Sequence, residues 1–168
     1  MLQILLTETN KHQNDIRKLF FENLSATNLL IEREFNIKYD VDAFLAQDLA
    51  NLGQFSPPTG RFLLAEIAGA IAGCAALRKL DANVGEVKRM YVRSPFRRQG
   101  IGRALLYAII DQAQQIGYTK LRLDAAPFAQ AAQQLYASAS FVTIAPNPES
   151  EIPQEYHQVW KFMELIIK

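Results

Sequence analysis

The stretch Arg97 to Gly102, which reads Arg-Arg-Gln-Gly-Ile-Gly, constrains the fold of this chain more than any other segment. It follows a short run of alternating apolar residues, Val87 to Val92, and precedes a helical pattern that opens near Gly100. Glycine lets a backbone approach a ligand closely, and a helix start offers unpaired N–H groups at the positive end of its dipole. Two glycines with basic neighbours at a strand-to-helix turn therefore predict a cradle for phosphate.

The charge of the chain is small overall but unevenly distributed. A formal net charge of +1 over 168 residues argues against a generic binder of nucleic acid or of anionic membranes. No acidic residue occurs from Val87 to Ile110, and the same region is rich in cations. We expect these cations to form one local anion site; they are Lys88, Arg89, Arg93, Arg97, Arg98 and Arg103.

Cysteine usage and hydropathy narrow the class of protein. The single cysteine, Cys74, excludes an intrachain disulfide and a multi-cysteine metal site, and no metal is expected. It lies in the apolar run Ala70–Leu77, which predicts an inert buried thiol. Thr7-Glu8-Thr9-Asn10 interrupts any signal peptide, and no apolar run approaches the roughly 20 residues of a membrane span. A cytoplasmic protein that binds no membrane is expected.

Apolar periodicity predicts a single α+β domain over residues 1–168, with helices and a mixed central sheet in three layers. The predicted element order is β-α-α-β-β-β-α-β-α-β-β. The predicted strands are Leu2–Thr7, Arg61–Ile67, Ala70–Leu77, Glu86–Val92, Tyr118–Asp124, Phe141–Ile144 and Val159–Ile167. The predicted helices run from Lys11 to Arg33 with a break near Ser25, from an N-cap at Asp40 to a stop at Gly53, from Gly100 to Gln115, and from Phe128 to Ala139.

The segment Glu86 to Gly102 resembles the acetyl-CoA-binding core of the GCN5-related N-acetyltransferases, the GNAT family. The loop of that family has the form Arg/Gln-x-x-Gly-x-Gly/Ala, which this chain fits at Arg97, Gly100 and Gly102. A short glycine motif is weak by itself, so the strand before it and the helix after it carry much of the weight.

A second similarity to the family lies further along the chain. Leu135-Tyr136-Ala137-Ser138-Ala139-Ser140-Phe141 resembles the family pattern Leu-Tyr-x-x-x-Gly-Phe, and Phe162–Leu165 resembles its terminal strand. The resemblance covers Arg61 to Lys168 well and the first sixty residues by element order alone. Three positions depart from the pattern: Ser140 replaces a glycine, Ala129 stands where many relatives carry Asn, and Arg98 stands where glycine is common.

The resemblance implies acetyl-CoA as co-substrate. The pantetheine arm would pair with the backbone of the strand Glu86–Val92, at Met90 and Val92, and the pyrophosphate would meet the amides of the loop and of the first helical turn. The implied cofactor-binding residues are Met90, Tyr91, Val92, Arg97, Arg98, Gln99, Gly100, Ile101, Gly102 and Arg103.

Two residues are candidates for the chemistry. Attack of an amine on a thioester expels a thiolate, and Tyr136 is the candidate general acid that protonates it, with a core tyrosine as the alternative interpretation. Glu86 is the candidate base, since an alkylammonium with a pKa near 10 costs about 4 kcal/mol to deprotonate at pH 7. A surface carboxylate, with water as the base, is the alternative for Glu86. His12 and His157 lie outside any titratable cluster and are not expected in the site.

The predicted function is transfer of an acetyl group from acetyl-CoA to a primary amine of a small molecule or peptide, by direct attack in a ternary complex. The core position of Cys74 disfavours an acetyl-cysteine intermediate. The first two helices and the Pro57-Pro58 loop are expected to cover the acceptor. Nearby acids either favour a cationic acceptor or form a solvated face; they are Glu32, Glu34, Asp40 and Asp42.

Two alternatives stay open. One is a non-catalytic acyl-CoA-binding regulatory domain of the same fold. The other is a nucleotide phosphate-binding protein, although the GxxxxGK[ST] loop and an acidic metal site are absent from the sequence. The expected partners are acetyl-CoA and an amine acceptor, with no nucleic acid, and a homodimer is left open.

Overall fold

The computed structural model describes residues 1–167, so Lys168, the last residue of the predicted domain, lies outside the described residues. Seven strands and four α-helices follow one another in the predicted order. The strands are β1 (Leu2–Thr7), β2 (Arg61–Ile67), β3 (Ala70–Asp81), β4 (Val84–Val92), β5 (Lys120–Ala125), β6 (Val142–Ile144) and β7 (Lys161–Ile166). The helices are α1 (Gln13–Phe35), α2 (Val41–Ala50), α3 (Ile101–Ile116) and α4 (Gln130–Ser138). Short 3₁₀ helices occupy Leu52–Phe55, Ser94–Phe96 and Gln154–Tyr156.

The strands form one sheet in the order β1-β2-β3-β4-β5-β7-β6. The first four strands pair antiparallel in chain order, with α1 and α2 inserted between β1 and β2, and β5, β7 and β6 form a second antiparallel group. The two groups meet where β4 pairs with β5 in parallel, over only three residue pairs that end at Glu86 and Arg122. The sheet is thus mixed, as the element order predicts.

Helices cover both faces of the sheet, because the central strands are apolar on both sides. On β2, Leu63 packs under α3 while its neighbour Leu64 packs under α1 and α2. The α3 face is the larger core, and α3 contributes an apolar stripe at helical spacing: Ile101, Leu105, Leu106, Ile109, Ile110 and Ala113. The α1 face contains Ile16, Leu19 and Phe20. The predicted three-layer arrangement is confirmed.

Strand β4 carries a β-bulge. Its register with β3 passes from Lys88 opposite Ala76 to Tyr91 opposite Cys74, so three steps on β4 match two on β3. The extra residue is Arg89, whose φ of 54° lies in the left-handed region. Strands β3 and β4 approach each other closely beside the bulge, since a Cβ at Gly73 would lie 2.5 Å from the carbonyl oxygen of Tyr91.

Some element boundaries differ from the sequence predictions. Helix α1 continues through Ser25 without a break, and α2 ends at Ala50, with Gly53 inside the following 3₁₀ helix. The connection between the predicted strands Ala70–Leu77 and Glu86–Val92 shortens to a turn of two residues, because β3 runs to Asp81 and pairs with β4 almost to the end. Cross-strand hydrogen bonds therefore override the polar composition of that segment.

Ser140 has the φ of a glycine. Its φ of 74° is left-handed, so this departure from the family pattern puts a residue with a side chain in a strained backbone conformation. We expect Ser140→Gly to raise the free energy of unfolding by about 0.5–1 kcal/mol, since relief of about 1–2 kcal/mol of left-handed strain exceeds the entropic cost of glycine. Differential scanning calorimetry should show a melting temperature about 1–4 °C higher.

Ser138→Gly is the matched control for this stability measurement. Ser138 is the last residue of α4, in helical conformation, so glycine there should lower the free energy of unfolding by about 0.5–1 kcal/mol. A melting temperature that falls in both variants would contradict strain at Ser140.

Candidate active site

The site is organised around an opening in the sheet between β4 and β5, which we call the gap. Pairing of the two strands stops at Glu86 and Arg122, while β4 continues to Val92 and β5 to Ala125. At about 3.3 Å per residue, β4 runs on for about 20 Å beyond Glu86. Within residues 1–167, no strand pairs with that part of β4 on the β5 side. The backbone of β4 beyond Glu86 therefore has an unpaired edge on this side, the kind of edge to which an extended chain can add.

The loop at one end of the gap has the geometry of an anion cradle. The Ala104 amide donates to the Gly100 carbonyl at 3.0 Å, so the amides of the preceding residues on α3 lack partners inside the helix. Gly100 caps α3 with a φ of 79°, and no side chain caps the helix. Arg98, at a φ of 63°, also takes the left-handed conformation, which explains why glycine suits this position. The amides predicted for pyrophosphate, those of Arg98 to Arg103, stand together at this helix start.

The remaining predicted cofactor-binding residues border the gap or the loop. Met90 and Val92 are half-buried on the α3 side of β4. The side chain of Tyr91 lies on the α1 side, where its ring contacts the Arg97 guanidinium at 5.8 Å from the ring centre. Arg97 also donates to the Val92 carbonyl at 2.9 Å, which fastens the loop to the end of β4.

Glu86 lies at the closed end of the gap and is 3% exposed. The Arg78 guanidinium donates to its Oε1 from Nε at 2.7 Å and contacts the same oxygen from Nη2 at 2.6 Å. Arg78 in turn donates to Gln54 Oε1 at 3.0 Å. Both contacts with Arg78 use one carboxylate oxygen, so the other, Oε2, stays available to accept from a water or an ammonium. The candidate base is thus buried and oriented by an arginine that sequence reasoning missed.

Tyr136 is buried on α4, where its ring packs against Phe141 at 6.0 Å between ring centres. Burial raises the pKa of its phenol, and the negative charge of Asp124 on β5 raises it further. The hydroxyl therefore remains protonated throughout the neutral range and is available as a donor.

A charged cluster spans the gap on the α2 side, and we call it the gap cluster. Arg89 pairs with Asp48 of α2 at 2.7 Å and with Glu151 at 3.0 Å. Lys88 pairs with Glu151 and lies 3.7 Å from Asp124. Burial would raise the pKa of Glu151, but the charges of Lys88 and Arg89 outweigh it and lower that pKa to about 2. Glu151 is thus ionised at neutral pH.

The structure corrects the expectation of one basic anion site. Arg97, Arg98 and Arg103 are exposed around the loop. Lys88 and Arg89 instead face carboxylates of α2, β5 and the loop before β7, which are far away in the sequence. Arg93 pairs with Glu22 of α1 at 3.0 Å. Lysine and arginine inside a predicted buried strand were the available signal, since buried cations need carboxylate partners.

Other residues considered from the sequence lie away from the gap or have local roles. Cys74 is buried, donates to the Arg89 carbonyl at 3.2 Å, and has a pKa raised to about 12 by burial. His12 precedes α1, and His157 contacts the Ile152 carbonyl at 2.8 Å. The acids proposed to select a cationic acceptor pair locally or face solvent: Glu32 with Lys38, Glu34 with Arg33, Asp40 as the N-cap of α2, and Asp42 exposed.

Comparison with known proteins decides the family. The sequence model of the acetyltransferase (GNAT) family matches residues 21–141, which is more than two thirds of the chain. The chain belongs to the GNAT acetyltransferase family. The matched region begins in α1, includes the gap and the loop, and ends at Phe141, where the second motif of the family closes.

Individual GNAT relatives agree with this assignment. The uncharacterized N-acetyltransferase YsnE of Bacillus subtilis is 36% identical over 78 residues, which cover 45% of this chain and 52% of that protein. This GNAT chain thus spans about half the length of the curated relatives it matches. A GNAT-family acetyltransferase structure from Staphylococcus aureus covers both chains completely, with a TM-score of 0.75 and 25% identity.

The fold of this GNAT protein also matches that of a ligand complex. The PaiA N-acetyltransferase of Thermoplasma acidophilum, solved with coenzyme A, has a TM-score of 0.76 at 15% identity and covers 99% of each chain. None of the helices in residues 1–167 is long and apolar enough to span a bilayer. The same residues contain no group of three or more His, Cys, Asp or Glu placed to hold a metal ion.

Proposed function

We propose that this GNAT protein transfers an acetyl group from acetyl-CoA to a primary amine of a small molecule or peptide, by direct attack in a ternary complex. The gap between β4 and β5, open at one end to the unpaired amides of the loop, is the observation that carries the proposal. A pyrophosphate on the amides of Arg98 to Arg103 and a pantetheine arm along Met90 to Val92 would fill this geometry.

Direct attack is supported by the environment of the single thiol. Cys74 is 1% exposed on β3 with its pKa raised to about 12, so its thiolate is scarce at neutral pH and out of reach of a thioester. The amine nitrogen then attacks the thioester carbonyl carbon itself. The new C–N bond forms, the C–S bond breaks, and the electron pair leaves with sulfur.

Tyr136 and Glu86 supply the two proton-handling roles in this proposal. The Tyr136 hydroxyl, kept protonated by its raised pKa, donates to the sulfur as negative charge develops there. Glu86 Oε2 accepts a proton from the ammonium, directly or through one water, which gives the neutral amine that attacks, while Arg78 holds the carboxylate in place. After the C–N bond forms, nitrogen loses a second proton, which makes up for the proton that Tyr136 gave to sulfur. The ammonium thus loses two protons, one balanced at sulfur and one released to solvent from Glu86, and the products are the amide and the free thiol.

Substituting Glu86→Gln tests the base. We expect the pH–rate profile to shift and kcat/KM to fall about 10²-fold at neutral pH, because the amide cannot accept the proton. Glu164→Gln is the control, since Glu164 also pairs with an arginine, Arg122 at 2.8 Å, but sits on β7. A Glu86→Gln profile that overlays the wild-type profile would remove Glu86 from the mechanism.

Two measurements test the ligand class and the activity. In thermal-shift experiments with acetyl-CoA and with ATP, we expect acetyl-CoA to raise the melting temperature. In an assay of free thiol across a panel of amines, we expect thiol release with at least one primary amine. Stabilisation by ATP alone would favour the nucleotide-binding alternative. Binding of acetyl-CoA with no thiol release from any amine would favour a non-catalytic acyl-CoA-binding domain.

A further inference from the structure

Lys88 and Arg89 direct two positive groups at one carboxylate oxygen. Successive residues of a regular strand point to opposite faces, but the bulge at Arg89 turns both side chains toward the same side of β4. Both contact Glu151 Oε1 there, Lys88 through Nζ and Arg89 through Nη1. Two adjacent cations converging on one oxygen form a carboxylate-binding position.

The three carboxylates of the gap cluster differ in how firmly they are held. Asp48 and Asp124 lie in α2 and β5, with side chains 14% and 15% exposed. Glu151 lies in the segment between β6 and β7, and its side chain is 43% exposed. Around it, the hydrogen bonds are local, such as Ser150 N to Asn147 O and Ile152 N to Ser150 Oγ. Glu151 is therefore the carboxylate that can leave.

The carboxylate-binding position at Lys88 and Arg89 lies beside Glu86, where the amine of an acceptor has to approach in the proposed reaction. Lys88 follows Glu86 by two residues on the same face of β4, which places them about 7 Å apart along the strand. This face is opposite the α3 core, so a ligand on it meets the gap from the side away from the phosphate loop. An amine at Glu86 can thus carry an acidic group that reaches Lys88.

We propose that Lys88 and Arg89 bind a carboxylate of the acceptor, and that Glu151 holds this position until the acceptor displaces it. The acceptor class is then an amine that also carries a carboxylate, of which free amino acids are the simplest members. This inference rests on the proposed acetyltransferase function.

Charge balance gives the preference its physical basis. Lys88 is 6% exposed, and withdrawal of Glu151 leaves it with Asp124 at 3.7 Å as its remaining anion. A buried cation that loses a partner is costly, and a substrate carboxylate restores the lost contact, whereas a carboxamide or a simple monoamine does not. An uncharged acceptor that displaces Glu151 leaves the charge of Lys88 only partly neutralised, and this energetic cost weakens its binding.

Matched pairs of amino acids and their carboxamides test the preference. For each pair, we expect kcat/KM to be about tenfold or more higher for the acid, as hydrogen bonds to charged groups allow. The carboxamide group withdraws electrons from the neighbouring amine more strongly than a carboxylate does. At neutral pH a larger fraction of the carboxamide is therefore in the free-amine form that can attack. A higher kcat/KM for the acid cannot then result from a larger amount of free amine. Equal or higher kcat/KM for the carboxamides across the panel would overturn the inference.

The Glu151→Gln variant separates displacement from a structural role. Loss of the competing charge should lower KM for acid acceptors about threefold or more, and should lower KM for the matched carboxamides by a smaller factor, because only the acid brings a charge that replaces the lost carboxylate. Glu149→Gln is the matched control, because Glu149 is on the same loop and its side chain forms no ion pair within residues 1–167. Equal changes of KM for acids and carboxamides in Glu151→Gln would show a structural loop contact and overturn the inference.

The same assay distinguishes failure of this inference from failure of the proposed function. Thiol release from carboxamides or monoamines, without preference for acids, retains the acetyltransferase and eliminates the carboxylate site. Absence of thiol release with every acid, carboxamide and monoamine eliminates the function, and the inference with it. Binding of coenzyme A by the Glu151→Gln variant, measured by calorimetry, should equal that of the wild type and verifies that the variant is folded.

Discussion

Tyr136→Phe is expected to reduce kcat about 10²-fold or more while the Kd for acetyl-CoA changes little. The substitution removes one oxygen from a buried ring that keeps its packing against Phe141. What is lost is the donor to the departing sulfur, and positioned proton donors contribute about 10²–10⁴-fold. Steady-state thiol release gives kcat, and calorimetry gives the Kd, so the chemical step and donor binding are measured separately.

Tyr118→Phe is the matched control for that variant. Tyr118 is 4% exposed in the same core, and its hydroxyl donates to the Thr59 carbonyl at 2.7 Å. Removal of this hydrogen bond should cost about 1 kcal/mol of unfolding free energy with no loss of kcat. Wild-type kcat in Tyr136→Phe would make Tyr136 the core tyrosine of the alternative interpretation.

Gly100→Val should weaken coenzyme A binding about 10–100-fold. The φ of 79° at Gly100 is strained for any side chain and most strongly for a β-branched one, so the loop would rearrange and its amides would no longer converge. Gly53→Ala is the control, since a Cβ there meets nothing within 4 Å. Calorimetric titration with coenzyme A measures both. An unchanged Kd in Gly100→Val would exclude the loop as the pyrophosphate site.

The fold was largely predictable because its signals are local. The order of strands and helices follows from apolar periodicity, and the glycine caps at Gly100 and Gly117 mark both ends of α3. The errors occur where distant residues decide. The polar segment before Asp81 belongs to β3 because it pairs with β4. Gly53 does not end α2, because that helix stops at Ala50 and Gly53 lies inside the 3₁₀ helix that follows.

Only the donor side of the proposed site has a local signal in the sequence. In the proposal, the loop from Arg97 to Gly102 binds through backbone amides, whose arrangement a local motif encodes. The gap cluster instead joins β4 to Asp48, Asp124 and Glu151, which are 41, 36 and 62–63 positions away in sequence. Apolar periodicity does not predict the bulge at Arg89, which places the side chains of Lys88 and Arg89 on the same side of β4. Acceptor chemistry therefore depends on contacts that a single sequence does not contain.

The three residue pairs that join β4 to β5 also bear on how the molecule unfolds. These pairs are the backbone connection between the antiparallel group β1–β4 and the antiparallel group β5-β7-β6, and the amides of β4 beyond Glu86 lack a strand on the β5 side. Because the connection is short, the two groups can unfold locally and independently, which amide hydrogen exchange detects. A pantetheine arm in the proposed position supplies the missing strand and couples the halves. Donor binding would then set the cooperativity of the whole domain, so that exchange at Met90 and Val92 slows together with exchange in β7.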